Sequence, residues 1–160
     1  MALQDSYAAL IQQARELINA GQDEQAFDVL RRIILRLSKL SAATLDKHSD
    51  LQSLFLAALI DAELLGRWLG RTEAVIELGD ALGKGVPLFR DVGKVIQARA
   101  LSDAGRLDEA MALLLAASKA SDANLMGLRL MASEALWNQR PEEALAILAG
   151  APDTEPSQQE

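Results

Sequence analysis

The chain contains no cysteine, which removes disulfides, thiolate metal sites and cysteine nucleophiles at once. Histidine occurs once, as His48 among Asp46, Lys47, Ser49 and Asp50, and a lone imidazole falls short of the ligand set a metal site needs. No metal and no cofactor are therefore expected. Aromatic residues supply only 4% of the 160 positions while half are hydrophobic, so aliphatic side chains and alanine must fill the interior. That composition suits close-packed helices better than a β-sandwich. The longest apolar run, Leu54 to Ile60, is far short of the roughly 20 residues that cross a bilayer. The opening segment MALQDSYAALIQQAR lacks a basic stretch ahead of an apolar one, so no signal peptide is expected. A cytoplasmic protein without membrane contact is the resulting expectation.

Basic residues are also short, 16 against 23 acids, for a net charge of −7. Nucleic acid demands a basic face, so it is not an expected partner. Residues 120–160 hold seven acids and two bases and carry most of the imbalance. Catalytic signals are equally sparse. Asp61, Glu63, Asp103 and Glu134 are carboxylates on helical segments, but no motif sets a nucleophile beside them, and Arg67 is spaced to satisfy Glu63 at four residues. The segment Gly79-Asp-Ala-Leu-Gly83-Lys84 is one residue short of a phosphate loop, has Gly85 in place of Ser or Thr, and follows a helix rather than a strand. An enzyme is not expected.

What the chain does have is alanine at regular intervals. Four pairs lie twelve residues apart, Ala14/Ala26, Ala62/Ala74, Ala98/Ala110 and Ala132/Ala144, and Leu30, Leu78, Leu114 and Leu148 each follow the second alanine by four. A small residue recurring in two adjoining helices implies close backbone contact. Apolar residues recur at three and four, as in Leu10, Ala14, Leu17 and Ile18, and no alternating strand pattern appears. Eight helices in four pairs are predicted, in units of about 3–40, 51–82, 88–119 and 124–150. Gly21, Gly70 and Gly105 turn the first three pairs, with Asp23 and Thr72 as caps, and Pro141 suits a first helical turn. Ser41 to Asp50 reads as a polar connection, and Gly83 to Pro87 as a loop. Residues 1–151 form one helical domain in this reading, and the polar, acidic stretch 152–160 is an expected disordered tail.

The last two second-helix alanines are 34 residues apart, the period of a tetratricopeptide repeat. With Ala14/Leu17, Ala62/Leu65 and Ala98/Leu101 in the first helices and Ala81, Ala117 and Ala151 closing units, the chain resembles a tetratricopeptide-repeat (TPR) protein over about residues 7–151. The usual tryptophan site instead carries Leu10, Ala58, Lys94 and Leu128. The resemblance implies an all-α, right-handed superhelix of four helical pairs, an α-solenoid whose first helices line a concave groove.

Counting from the first-helix alanines puts an apolar strip across that groove, made of Ile11, Leu59, Ile60, Val95, Ile96 and Leu130. Arg15, Arg99 and Arg129 border it, with Arg67 near one end and Glu63, Ser133 and Trp137 also on the groove side. Repeat domains that grip a C-terminal carboxylate use polar and basic groove residues. The matching positions here, Ile11, Arg15, Ile60, Val92 and Ile96, are apolar but for one, so that clamp is not expected. The resemblance implies a scaffold, adaptor or chaperone that binds an apolar or amphipathic partner segment. In size, acidity and repeat type the chain is similar to chaperones of secreted type III translocator proteins. Self-association, with a homodimer or an attached regulatory domain consuming the apolar faces, is the alternative.

Overall fold

A computed structural model describes residues 3–82, 87–119, 140–142 and 144–145. Among them the chain is entirely helical: α1 (Leu3–Asn19), α2 (Asp23–Leu37), α3 (Ala42–Lys47), α4 (Ser49–Trp68), α5 (Thr72–Ala81), α6 (Pro87–Asp103) and α7 (Leu107–Ser118). None of these helices is long and apolar enough to cross a membrane. The fourth predicted pair and the 152–160 tail lie largely outside the described residues.

Three connections repeat one geometry. Gly21, Gly70 and Gly105 take φ of 70°, 66° and 76°, the left-handed region that glycine enters without a Cβ penalty. In each, the glycine N–H donates three residues back, to the carbonyls of Ile18, Arg67 and Ser102. The next N–H, from Gln22, Arg71 or Arg106, donates five back, to Leu17, Gly66 or Leu101, closing a Schellman motif. Those same three residues then cap the following helix with nearly superimposable backbones (φ/ψ of −99/55, −85/53 and −92/56). Asp23 and Thr72 are thus the first helical residues rather than caps, and no side chain caps either helix.

The shared turn gives a common ruler for the three helix pairs, and it shifts the second pair by one residue against the alanine count. Seven positions before the glycines stand Ala14, Glu63 and Ala98; five after stand Ala26, Val75 and Ala110. The predicted pair Ala62/Ala74 is out of register: Ala74 is half-buried, whereas Val75 is fully buried. Gly66 accommodates the larger valine, because a Cβ there would collide with Val75 and sit 2.9 Å from Phe27 Cε2.

The predicted polar connection is also more ordered than its composition suggests. Ser41 Oγ accepts from the Thr44 N–H at 3.2 Å and starts α3, Leu45 is buried, and Gln52 Nε2 donates to the Leu45 carbonyl at 2.8 Å. Each long helix packs on the next, and α1 touches α4, α2 touches α5, and α4 touches α6. One large core runs through α1 to α6, anchored by Phe27, Phe55 and Phe89, with the rings of Phe55 and Phe89 4.7 Å apart. A smaller cluster of Val95, Ala98, Leu101, Ala110 and Leu114 joins α6 to α7.

Candidate functional site

Helix α4 lies between α1 and α6, and its charges tie it to both. Arg15 Nε of α1 donates to Asp61 Oδ2 at 3.3 Å. On the other side, Arg99 Nη1 of α6 donates to both oxygens of Glu63 at 3.2 and 3.4 Å. Arg67 reaches back to α6 at Asp103, with Nη2 donating to Oδ1 at 3.2 Å, and its Nη1 stands 3.5 Å from Glu63 Oε1. Glu63 is buried, so these two arginines offset the cost of removing its carboxylate from water.

At 3.6 residues per turn, Asp61 falls on one flank of α4, and Glu63 and Arg67 fall on the other. Between the flanks run Ile60, Leu64 and Trp68, spaced by four and therefore on one face. They are 56%, 59% and 81% exposed, an apolar ridge framed by ion pairs. An isolated exposed leucine is unremarkable, but three large apolar side chains in line mark a contact surface.

The predicted strip is mostly interior. Ile11, Leu59, Val95 and Ile96 are buried, and of the strip's described members only Ile60 is open to solvent. Leu59 is explained by the register: counted from the glycine ruler, the outward positions of the second pair are Ile60, Leu64 and Trp68 instead of Leu59 and Ile60. Ile11, Val95 and Ile96 keep their register and are interior because neighbouring helices cover them, Ile11 and Ile96 in the large core and Val95 in the α6–α7 cluster. Leu64 and Trp68 went unrecognised in the sequence, although their spacing from Ile60 carried the signal. Of the bordering arginines, Arg15, Arg67 and Arg99 stand beside α4 and are engaged with Asp61, Asp103 and Glu63. Arg129, Leu130, Ser133 and Trp137 lie outside the described residues.

A second set of ion pairs runs along the turns. Arg71 pairs with Glu24, Arg106 Nη1 donates to Glu73 Oε1 at 2.7 Å, and Arg140 Nη1 to Asp108 Oδ1 at 2.8 Å. Arg71 and Arg106, at the glycine turns, and Arg140, just ahead of helical residues 141–142, each bond an acid in the first turn of an earlier helix, α2, α5 and α7 in order. Arg106 also donates to Glu109 at 2.8 and 2.7 Å, and these hydrogen bonds hold the Glu109 carboxyl below the usual carboxylate range. Among the described residues no group of three or more His, Asp or Glu is placed to hold a metal ion. Comparison with protein-family models, with curated proteins and with solved structures finds no match to this chain.

Proposed function

We propose that the chain is a non-catalytic protein-binding module, built as a superhelix of TPR-like helix pairs, that holds an apolar or amphipathic helical segment against α4. The glycine turn, found three times, and the three matching Arg71, Arg106 and Arg140 ion pairs support the repeat reading, since each recurs at intervals close to one repeat length, apart from the longer first step. The observation that carries the binding reading is the line of Ile60, Leu64 and Trp68. Trp68 is the most exposed of the three, and tryptophan is the residue most often found to dominate an interface. The paired charges beside it contribute orientation more than affinity.

The test is a set of three variants. Leu64→Asp and Trp68→Ala are expected to melt like the unmodified protein, because neither side chain is buried. Leu64→Asp is expected to lose partner binding at least about tenfold, or about 1.4 kcal/mol, by placing an unpaired charge against an apolar ligand. Ile96→Asp, by contrast, is expected to unfold the protein, since Ile96 is only 3% exposed. If affinity-purified unmodified protein and Leu64→Asp retain the same partners equally well, α4 is not the binding face.

A further inference from the structure

The exposed line of α4 is graded in size. Toward its N-terminal end it continues through Ala57, half-buried, and Ser53, exposed; toward its C-terminal end stand Leu64 and Trp68. Small side chains occupy one half and large ones the other, with Ile60 between. A helix laid antiparallel over α4 and bearing the same gradient sets large against small along its whole length. With a two-fold axis beside Ile60, the partner's Leu64 falls over Ala57 and the partner's Trp68 falls over Ser53. Such a surface is complementary to itself, as an isologous contact requires.

We propose that the segment held on α4 is α4 of a second copy of this chain, paired antiparallel about a two-fold axis at Ile60. The inference rests on α4 being a protein-binding face and names its occupant. Electrostatics beside the axis does not oppose this occupant. The chain carries a net charge of −7, which opposes self-association at long range. At the face itself, however, Arg15 is matched by Asp61, Arg67 by Asp103 and Arg99 by Glu63, all within one copy. Around the axis, where like groups would meet, the charges are therefore matched within each copy; the Ser53 end adds Asp5 and Asp50, which the two-fold sets toward the partner's Trp68 rather than toward each other. Ile60, Leu64 and Trp68 together expose on the order of 400 Å² of side chain, about half of what each partner of a standard interface buries. A dimer in the micromolar range is the corresponding expectation, strengthened by added salt because the long-range repulsion is screened.

Three measurements test it. Sedimentation velocity from about 1 to about 300 µM is expected to show a monomer–dimer equilibrium in that micromolar range. Leu64→Asp and Trp68→Ala are expected to weaken it at least tenfold, with circular dichroism melting unchanged. Because the chain has no cysteine, single introduced thiols report contacts cleanly. Ile60→Cys, next to the axis, is expected to form an inter-copy disulfide under mild oxidation, whereas Gln25→Cys on exposed α2 surface is not. A monomer at every concentration overturns the second copy as occupant. The binding-face reading then stands or falls separately on whether Leu64→Asp loses other partners. A dimer indifferent to both substitutions, or crosslinked equally by Gln25→Cys, places the contact elsewhere and overturns the inference. If Leu64→Asp fails to fold, Trp68→Ala and the Ile60→Cys crosslink still decide.

Discussion

Val75 stands where alanine stands at 26 and 110, and Gly66 stands where leucine stands at 17 and 101. The second pair has exchanged a large–small contact for a smaller small–large one, and the Phe27 ring closes on the space beside Gly66. That exchange is testable as a coupling. Gly66→Ala adds a methyl that collides with Val75 and presses on Phe27; overpacking of this kind costs about 1–3 kcal/mol, against about 1 kcal/mol gained in helix propensity. A net loss is expected. Val75→Ala in the Gly66→Ala background is expected to cost less than Val75→Ala alone, with an interaction of at least about 0.5 kcal/mol in a double-mutant cycle of denaturant melts. Strict additivity would show that the two positions do not meet. The same exchange explains which site residues the sequence disclosed. Ala62 and Ala74 are also twelve residues apart, so an alanine count locks onto them and carries the outward face to Leu59 in place of Leu64. A left-handed glycine is the better ruler, because few other residues tolerate that φ whereas valine substitutes readily for alanine. Arg67 with Glu63 was legible as an i,i+4 pair; Arg99 with Glu63, 36 residues apart, needed the fold.

At the level of helices, the long amphipathic elements and their glycine turns were readable from periodicity, and α3 was not. Its six residues are too few to show a period, and its stability comes from the Ser41 cap and the burial of Leu45. The α5–α6 crossing was equally hidden. Gly79 and Gly93 meet there: a Cβ on Gly79 would lie 2.6 Å from the Gly93 carbonyl oxygen, and one on Gly93 would lie 2.8 Å from that of Gly79. Beside them the buried Gln97 donates from Nε2 to the Ile76 carbonyl and to Asp80 Oδ1, both at 2.8 Å. The glycine that superficially suggested a phosphate loop is therefore a point of helix contact. Gly79→Ala pushes backbone against backbone and displaces Gln97, so it is expected to cost about 1–3 kcal/mol or more despite alanine's higher helix propensity. At about 2–4 °C per kcal/mol the loss is visible in a thermal melt. Gly70→Ala is the useful contrast. It meets nothing within 4 Å and is penalised only by its φ of 66°, at about 1–2 kcal/mol. A Gly79→Ala protein that melts like the unmodified one would mean the two helices are further apart than described.

Across the whole molecule, stability is unevenly distributed. Helix α2 alone buries Ala26, Phe27, Val29, Leu30, Ile33, Ile34 and Leu37 in the main core, while α7 contributes Ala110 and Leu114 to a separate, smaller cluster with Val95, Ala98 and Leu101. The ion pairs along the turns do not even this out, because exposed pairs contribute at most about 1 kcal/mol each. Helices that bury more apolar area open less often, so local unfolding is expected to begin at α7 and the global transition to be governed by α2 and α4. Native-state hydrogen exchange reads this directly. Amides of α7 are expected to exchange through an opening of lower free energy than those of α2 and α4. Leu30→Ala, which removes a fully buried side chain from the main core, is expected to lower protection throughout by about 2–5 kcal/mol. Leu114→Ala is expected to lower it in α7 and leave α2 nearly unchanged, since the sites share no partner. Equal loss in both helices from Leu114→Ala would show a single cooperative unit, and the nearest-neighbour stacking that a helical repeat requires would then not describe this protein.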